Sequence, residues 1–182
     1  MSGQPAPLLR GARVLLRPPR AGDREARQAY GFDAGIERGY GHVTETRPMS
    51  DEEADEYWAH VQAAAGPTYW MVEVDGALVG TTFLHSLDDR DHRARFAIGL
   101  LSPRLQHRGI GREATGLVLD HAFGDLGLHR VDLRVLAFNE TAVRCYEACG
   151  FVHEGRERES CLLDGQWYDD LLMAKLAHEH LA

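Results

Sequence analysis

Gln106-His107-Arg108-Gly109-Ile110-Gly111-Arg112-Glu113-Ala114 is the stretch on which the reading of this chain turns. Before it, Ala94 to Leu101 reads as a strand, and after it the apolar spacing of Arg112 to Phe123 fits a helix, with Gly124 and Gly127 available to end it. Two glycines at such a junction let backbone N–H groups converge on one point. The helix start adds unpaired N–H groups and a partial positive charge. This is the layout of a phosphate cradle, and the expected ligand carries a pyrophosphate.

The surrounding residues separate the kinds of cradle. A P-loop needs Lys and then Ser or Thr after its last glycine, and Gly111 is followed by Arg112 and Glu113. Gly109, Gly111 and Ala114 do satisfy the dinucleotide pattern G-x-G-x-x-A, with Asp132 about 20 residues on. A dinucleotide glycine, however, follows its strand almost at once and opens a long run of βα units. Here Ser102 to Arg108 intervene and few residues remain. Downstream, Arg130 to Leu136 reads as a strand, Asn139 stands at the start of a helix, and Tyr146-Glu147-Ala148-Cys149-Gly150-Phe151 closes that helix.

Gln106, Gly109 and Gly111 fill a pattern that resembles the acyl-CoA cradle of the GNAT superfamily of N-acetyltransferases: Gln or Arg, two residues, Gly, any residue, Gly or Ala. Asn139 with Tyr146, Gly150 and Phe151 is similar to that superfamily's Asn then Tyr-x-x-x-Gly-Phe signature. Over nearly the whole chain the resemblance is to the RimJ/RimL-type branch, through Leu15-Leu16-Arg17-Pro18 with Asp23, Glu113-Ala114, Leu126 to Arg130, Glu154-Gly155, and Asp164-Gly165 before Trp167 and Asp169. One departure stands out: His107-Arg108 precede the cradle glycine where that branch commonly has an aromatic.

The resemblance implies a mixed α/β fold. Its mostly antiparallel sheet of about seven strands carries helices on both faces and splays at two central strands. It implies one N-acetyltransferase domain over residues 1–182, with a core of about 11–177 between short tails. Acetyl-CoA is the implied co-substrate. Gln106, Arg108, Gly109, Gly111 and Arg112 would lie around its pyrophosphate, His107 and Ile110 would also bind the cofactor, and Ile98, Gly99 and Leu100 would offer backbone groups to the pantetheine and the thioester carbonyl. Asn139 and Tyr146 would touch the cofactor arm, with Tyr146 as the acid that protonates the departing thiolate. The resemblance puts a protein or peptide N-terminus first as acceptor and a small amine, such as an antibiotic, polyamine or amino acid, second. A silent acyl-CoA-binding module and a dinucleotide-dependent oxidoreductase are the readings from other classes.

Composition sets outer bounds. With 182 residues, 44% hydrophobic and 26% charged, the chain can bury a core yet is short for two domains. Lys plus Arg number 20 against 28 Asp plus Glu, a net −8 that argues against a nucleic-acid surface. No apolar run approaches a membrane span and Met1 to Arg10 lacks a signal-peptide core, so a cytoplasmic protein without a membrane partner is expected; a homodimer is left open. Cys145, Cys149 and Cys161 are odd in number and lack a ligand spacing, so neither a disulfide framework nor a metal site is expected.

Along the chain, Ala12 to Arg17 reads as a strand and a short helix follows Asp23. Phe32 to Pro48, glycine-rich and of mixed charge, is a rim over a pocket or a plain connection. Ser50 with Glu53 makes a capping box for a helix ending near Gly66-Pro67. Asp75-Gly76, between Thr68 to Val74 and Leu78 to Leu87, signals a hairpin. Glu37, Glu45, Glu73, Glu157 and Asp170 are all candidate bases, and the sequence does not choose among them.

Overall fold

The computed structural model describes residues 4–180, so the ends of the expected domain, 1–3 and 181–182, lie outside it. Eight strands run β1 (Leu9–Arg10), β2 (Val14–Arg17), β3 (Tyr69–Val74), β4 (Ala77–Asp88), β5 (Arg93–Leu100), β6 (Arg130–Leu136), β7 (Val152–Leu163) and β8 (Gln166–Leu176). The helices are α1 (Asp23–Tyr30), α2 (Ala34–Gly39), α3 (Asp51–Ala64), α4 (Ile110–Asp120), α5 (Glu140–Ala148) and a short α6 (Ala177–His180). None of the described helices is long and apolar enough to cross a membrane.

Turn chemistry fixes the hairpins. Asp75 and Gly76 have φ of 50° and 78°, Asp164 and Gly165 50° and 77°, the double left-handed geometry that lets a two-residue turn match strand twist. The strands assemble in the order β1-β2-β3-β4-β5-β6-β8-β7. Every neighbouring pair is antiparallel except β5 and β6, which are parallel. This is the mixed, mostly antiparallel sheet that the resemblance implies, with eight strands against the expected seven or so. The addition is β1, whose two residues pair Leu9 with Leu16 and Arg10 with Leu15 and are too short to carry a periodic signal.

Alternation puts Ala94 and Phe96 of β5 and Val131, Leu133 and Val135 of β6 in the main core, together with Ile110, Ala114 and Val118 of α4 and Tyr146 of α5. The opposite face is covered on its β3–β4 side by α1 and α3, where Val61 packs with Tyr69, Met71 and Leu78. The expected capping box of α3 forms: Ser50 Oγ accepts from Glu53 N at 3.2 Å and Glu53 Oε2 from Ser50 N at 2.9 Å.

Two further expectations change. The Phe32 to Pro48 connection holds α2, whose N-cap Asp33 accepts from the backbone of Gly35 and Ile36 at 3.0 Å each. Six residues beginning Ala-Gly give a helix pattern little to show. The helix read as Arg112 to Phe123 starts earlier, at Ile110, and passes after Asp120 into a wide π turn, His121–Asp125. Glycine discourages helix interiors, but Gly109 serves here as the N-cap, which brings Gly111 into the first turn.

The sheet departs from regular pairing where it matters most. Between β5 and β6 only Arg93↔Arg130, Ala94↔Val131 and Arg95↔Asp132 pair, although β5 stays bound to β4 as far as Leu100 and β6 to β8 as far as Leu136. The two strands part and leave a gap. At its open end Gly80 of β4 faces Leu100, and a Cβ on Gly80 would collide with the Gly99 carbonyl. Gly80→Ala is expected to push the end of β5 aside and cost about 1–3 kcal/mol of stability in urea unfolding; an unchanged midpoint would mean the strand end yields freely.

Candidate active site

The gap becomes a cleft of about 540 Å³. Its walls include sequence neighbours whose side chains point to opposite faces of the sheet: Phe96 with Ala97, and Arg134 with Val135 and Leu136. The cavity is lined from both faces of the sheet: α4 and α5 form its first side, and Arg134 and Asp170 its second.

On the first side stands the cradle. Gly109 takes φ of 78° as the N-cap of α4, a conformation open to glycine at little cost, and no side chain caps the helix. Glu113 N reaches Gly109 O at 3.0 Å, so the N–H groups of the first turn before it have no partner within the helix and face the position where an anion would sit. Glu113 ties this helix start to the sheet edge: its Oε1 accepts from Arg13 N at 2.7 Å and Val14 N at 3.0 Å. Burial opposes the charge of Glu113, but those backbone donors outweigh it and hold its carboxyl below the usual glutamate range. Arg13 Nη2 in turn donates to Arg108 O at 2.6 Å, steadying the loop ahead of Gly109.

Helix α5 has a defined start and stop. Asn139 caps it, Oδ1 accepting from Ala142 N at 3.2 Å. At the other end Gly150 has φ of 86°, its N–H meets Glu147 O at 2.9 Å, and Phe151 N meets Tyr146 O at 3.0 Å. That is a Schellman close, and its customary apolar contact is the Tyr146–Phe151 ring pair at 5.9 Å. The Tyr-x-x-x-Gly-Phe run is therefore a helix stop that fixes Tyr146. Phe96, the first residue beyond the last β5–β6 rung, meets the Tyr146 ring edge-on at 6.2 Å. Burial, followed by the neighbouring Cys145 and Tyr40, raises the Tyr146 hydroxyl far above the ordinary tyrosine value, so it stays protonated at any physiological pH.

A strap spans the gap. Gly39 O, at the end of α2, accepts from Asn139 Nδ2 at 3.2 Å, and Tyr40 Oη donates to Leu100 O at 3.3 Å, so α2 is tied to both banks of the gap. Arg38 extends the tie to the β7–β8 hairpin: Nη1 meets Asp164 Oδ2 at 2.8 Å, Nη2 donates to Tyr168 Oη at 2.7 Å, and its guanidinium lies 5.3 Å from the rings of both Phe138 and Tyr168.

Of the residues read from sequence, Ile98 and Leu100 line the cleft on the β5 bank. Gln106, His107, Gly109, Ile110, Gly111 and Arg112 line it from the cradle, and Asn139 and Tyr146 from α5. Gly99 and Arg108 fall outside the lining; a Cβ on Gly99 would lie 3.0 Å from Tyr40 Oη. Sequence reading missed Tyr40, Arg134 and Cys145, and listed Asp170 without distinction. The strand alternation of Arg134 against Val135 is the signal that was there to use. Among the other candidate bases Glu73 is held by Arg17 and Arg20, and Glu37 by His42. Among the described residues, no group of three or more His, Cys, Asp or Glu is placed to hold a metal ion.

Residues 13–152 match the family model described as the acetyltransferase (GNAT) domain. The chain is 30% identical over 131 residues to a spermidine N(1)-acetyltransferase of Vibrio cholerae, covering 72% of this chain and 75% of that protein. It is also 30% identical over 131 residues to the enzyme of that name from Escherichia coli, with coverage of 72% and 69%. The crystal structure of the V. cholerae spermidine N-acetyltransferase in complex with CoA and spermine superposes with a TM-score of 0.77 at 26% identity, covering 94% of this chain and all of that one (100%).

Gly109→Asp adds a side chain near Arg13 and a negative charge at the cradle. Isothermal titration should show acetyl-CoA affinity falling at least about tenfold with only a modest drop in melting temperature. A large drop in melting temperature with acetyl-CoA affinity preserved would make the glycine a packing element only.

Proposed function

Since this chain belongs to the GNAT acetyltransferase family and is an N-acetyltransferase that uses acetyl-CoA, we propose that it acetylates a small cationic amine, polyamines first, by direct attack within the parted β5–β6 gap. The carrying observation is the two-sided lining of the cleft: the glycine-capped start of α4 stands on one side, Arg134 and Asp170 on the other, and the α2 strap is tied to both banks. A slim flexible amine suits a strapped cleft better than the end of a folded protein does. The two spermidine acetyltransferase relatives support the same choice. It places the small amine ahead of the protein N-terminus that the sequence resemblance put first.

In this reading the first-turn N–H groups of α4, with Arg112, receive the pyrophosphate. The strand edge at Ile98 to Leu100 offers backbone groups to the pantetheine amides. Tyr146, at the closed end of the gap, supplies the proton that the departing thiolate takes up. A CoA thiol has a pKa near that of free cysteine, about 8.5, so the proton mainly trims the exit barrier. Asn139 acts chiefly on position, capping α5 and holding the strap. The sheet from Leu9 to Leu176 acts as one acetyltransferase domain.

Tyr146→Phe is expected to lower kcat about 10²-fold with nearly unchanged acetyl-CoA affinity. Because burial keeps the hydroxyl protonated, the wild-type rate should not decline between pH 8 and about 10. A tyrosine-dependent decline near the ordinary value, or a fully active Phe variant, would return Tyr146 to packing. Following CoA thiol release with polyamines, aminoglycosides, amino acids and peptides tests the acceptor: a polyamine should lead, and peptides leading would restore the N-terminal reading.

A further inference from the structure

We propose that Asp170 anchors a positively charged, non-reacting nitrogen of the acceptor, and that Arg134 competes with the acceptor for that carboxylate. The assignment rests on the small-amine reading above. Asp170 is 4% exposed, yet it lines the cleft, and it sits on β8 beside Leu136, where β6 has already left β5. A buried carboxylate needs partners. Its side chain has two: Ser160 Oγ donates to Oδ2 at 2.8 Å, and Arg134 Nη2 lies 3.1 Å from Oδ2.

The Ser160 contact is built by a bulge. Pairing jumps from Glu157↔Asp170 to Cys161↔Tyr168, so residues 158–160 loop out of register. Glu159 takes φ of 52° within that loop, and its N–H is fixed on Asp169 Oδ1 at 2.8 Å. The loop thereby returns the serine hydroxyl to the carboxylate beneath it. The arginine contact is looser. Arg134 is 45% exposed at its side chain and also meets Glu157 through Nη1 at 2.8 Å, so it can rest on Glu157 alone when another cation takes Asp170.

The chemistry suits an anchor better than a base. An ion pair favours the charged form of both partners, so a carboxylate set beside an ammonium holds the ammonium's charge rather than removing its proton. Pairing Asp170 with the attacking nitrogen would hold that nitrogen charged and inert. The group it serves is therefore a second ammonium, and the residue separates diamines from monoamines.

The test compares putrescine with butylamine, which differ by one terminal amino group, as acceptors for the wild type, Asp170→Asn, Ser160→Ala and Arg134→Gln. The wild type should prefer putrescine in kcat/KM. Asp170→Asn should raise its KM about 30-fold or more, leave butylamine nearly unchanged and preserve acetyl-CoA affinity; Ser160→Ala should move the same way by a few-fold. Arg134→Gln, at an exposed side chain, should lower the putrescine KM, an effect a purely structural ion pair would not produce. Equal losses for both amines in Asp170→Asn overturn the assignment, as does a higher putrescine KM in Arg134→Gln; if Asp170→Asn fails to fold, the Ser160 and Arg134 variants decide alone. If the wild type turns over no small amine while still binding acetyl-CoA, the acceptor reading falls and this assignment with it, whereas turnover of other small amines but not putrescine, or of putrescine with unaltered preference in the variants, overturns the assignment only.

Discussion

The parallel pairing of β5 with β6 stops after three rungs, and the rest of the molecule is arranged around that stop. Beyond Arg95 and Asp132 the facing strand edges carry backbone N–H and C=O groups with no sheet partner. Such groups, when removed from water unpaired, cost about 1–3 kcal/mol each. A gap of this kind invites a ligand that is itself a chain of amides, because one strand edge can hydrogen-bond along it as it would along another strand. Each bank is kept straight by its outer neighbour, β4 on one side and β8 on the other, so the opening persists without the ligand bridging it.

Three local devices then place chemistry in the opening. The glycine N-cap sets the start of α4 against the cleft, and Glu113 pins that helix to the β2 end of the sheet. The Schellman close of α5 sets Tyr146 against Phe96 at the narrow end. Asn139, at the other end of the same helix, reaches across to Gly39 and holds the strap. A single nine-residue helix thus sets Tyr146 at one end and the hold on the strap at the other, which makes its two caps, rather than its apolar stripe, the reason for its sequence.

Legibility in the sequence followed the range of each interaction. β6 has the bounds the sequence suggests, and the Asp75-Gly76 hairpin and the Ser50 capping box form as expected, because each is set by neighbours within a few residues. The cradle was legible for the same reason, since Gly109 and Gly111 act through their own backbone. Helix α2 was not: its hold on the fold comes from Asn139, Leu100, Asp164 and Tyr168, all far away in sequence. Asp170 could not be told from the other acidic residues because its position follows from where two other strands separate. The bulge that delivers Ser160 is likewise a matter of register between β7 and β8, which charge-rich strands with weak alternation do not announce.

The central claim is that acetyl-CoA occupies the gap between β5 and β6 and satisfies the strand edges the sheet leaves open. Amide hydrogen exchange with and without acetyl-CoA tests it most directly, since exchange reports the protection of individual backbone groups. Exchange should slow over Phe96–Leu100, Leu133–Leu136 and the first turn of α4, with β2 and β3 unchanged. Tight binding that leaves all three segments unaltered and protects another surface would contradict it.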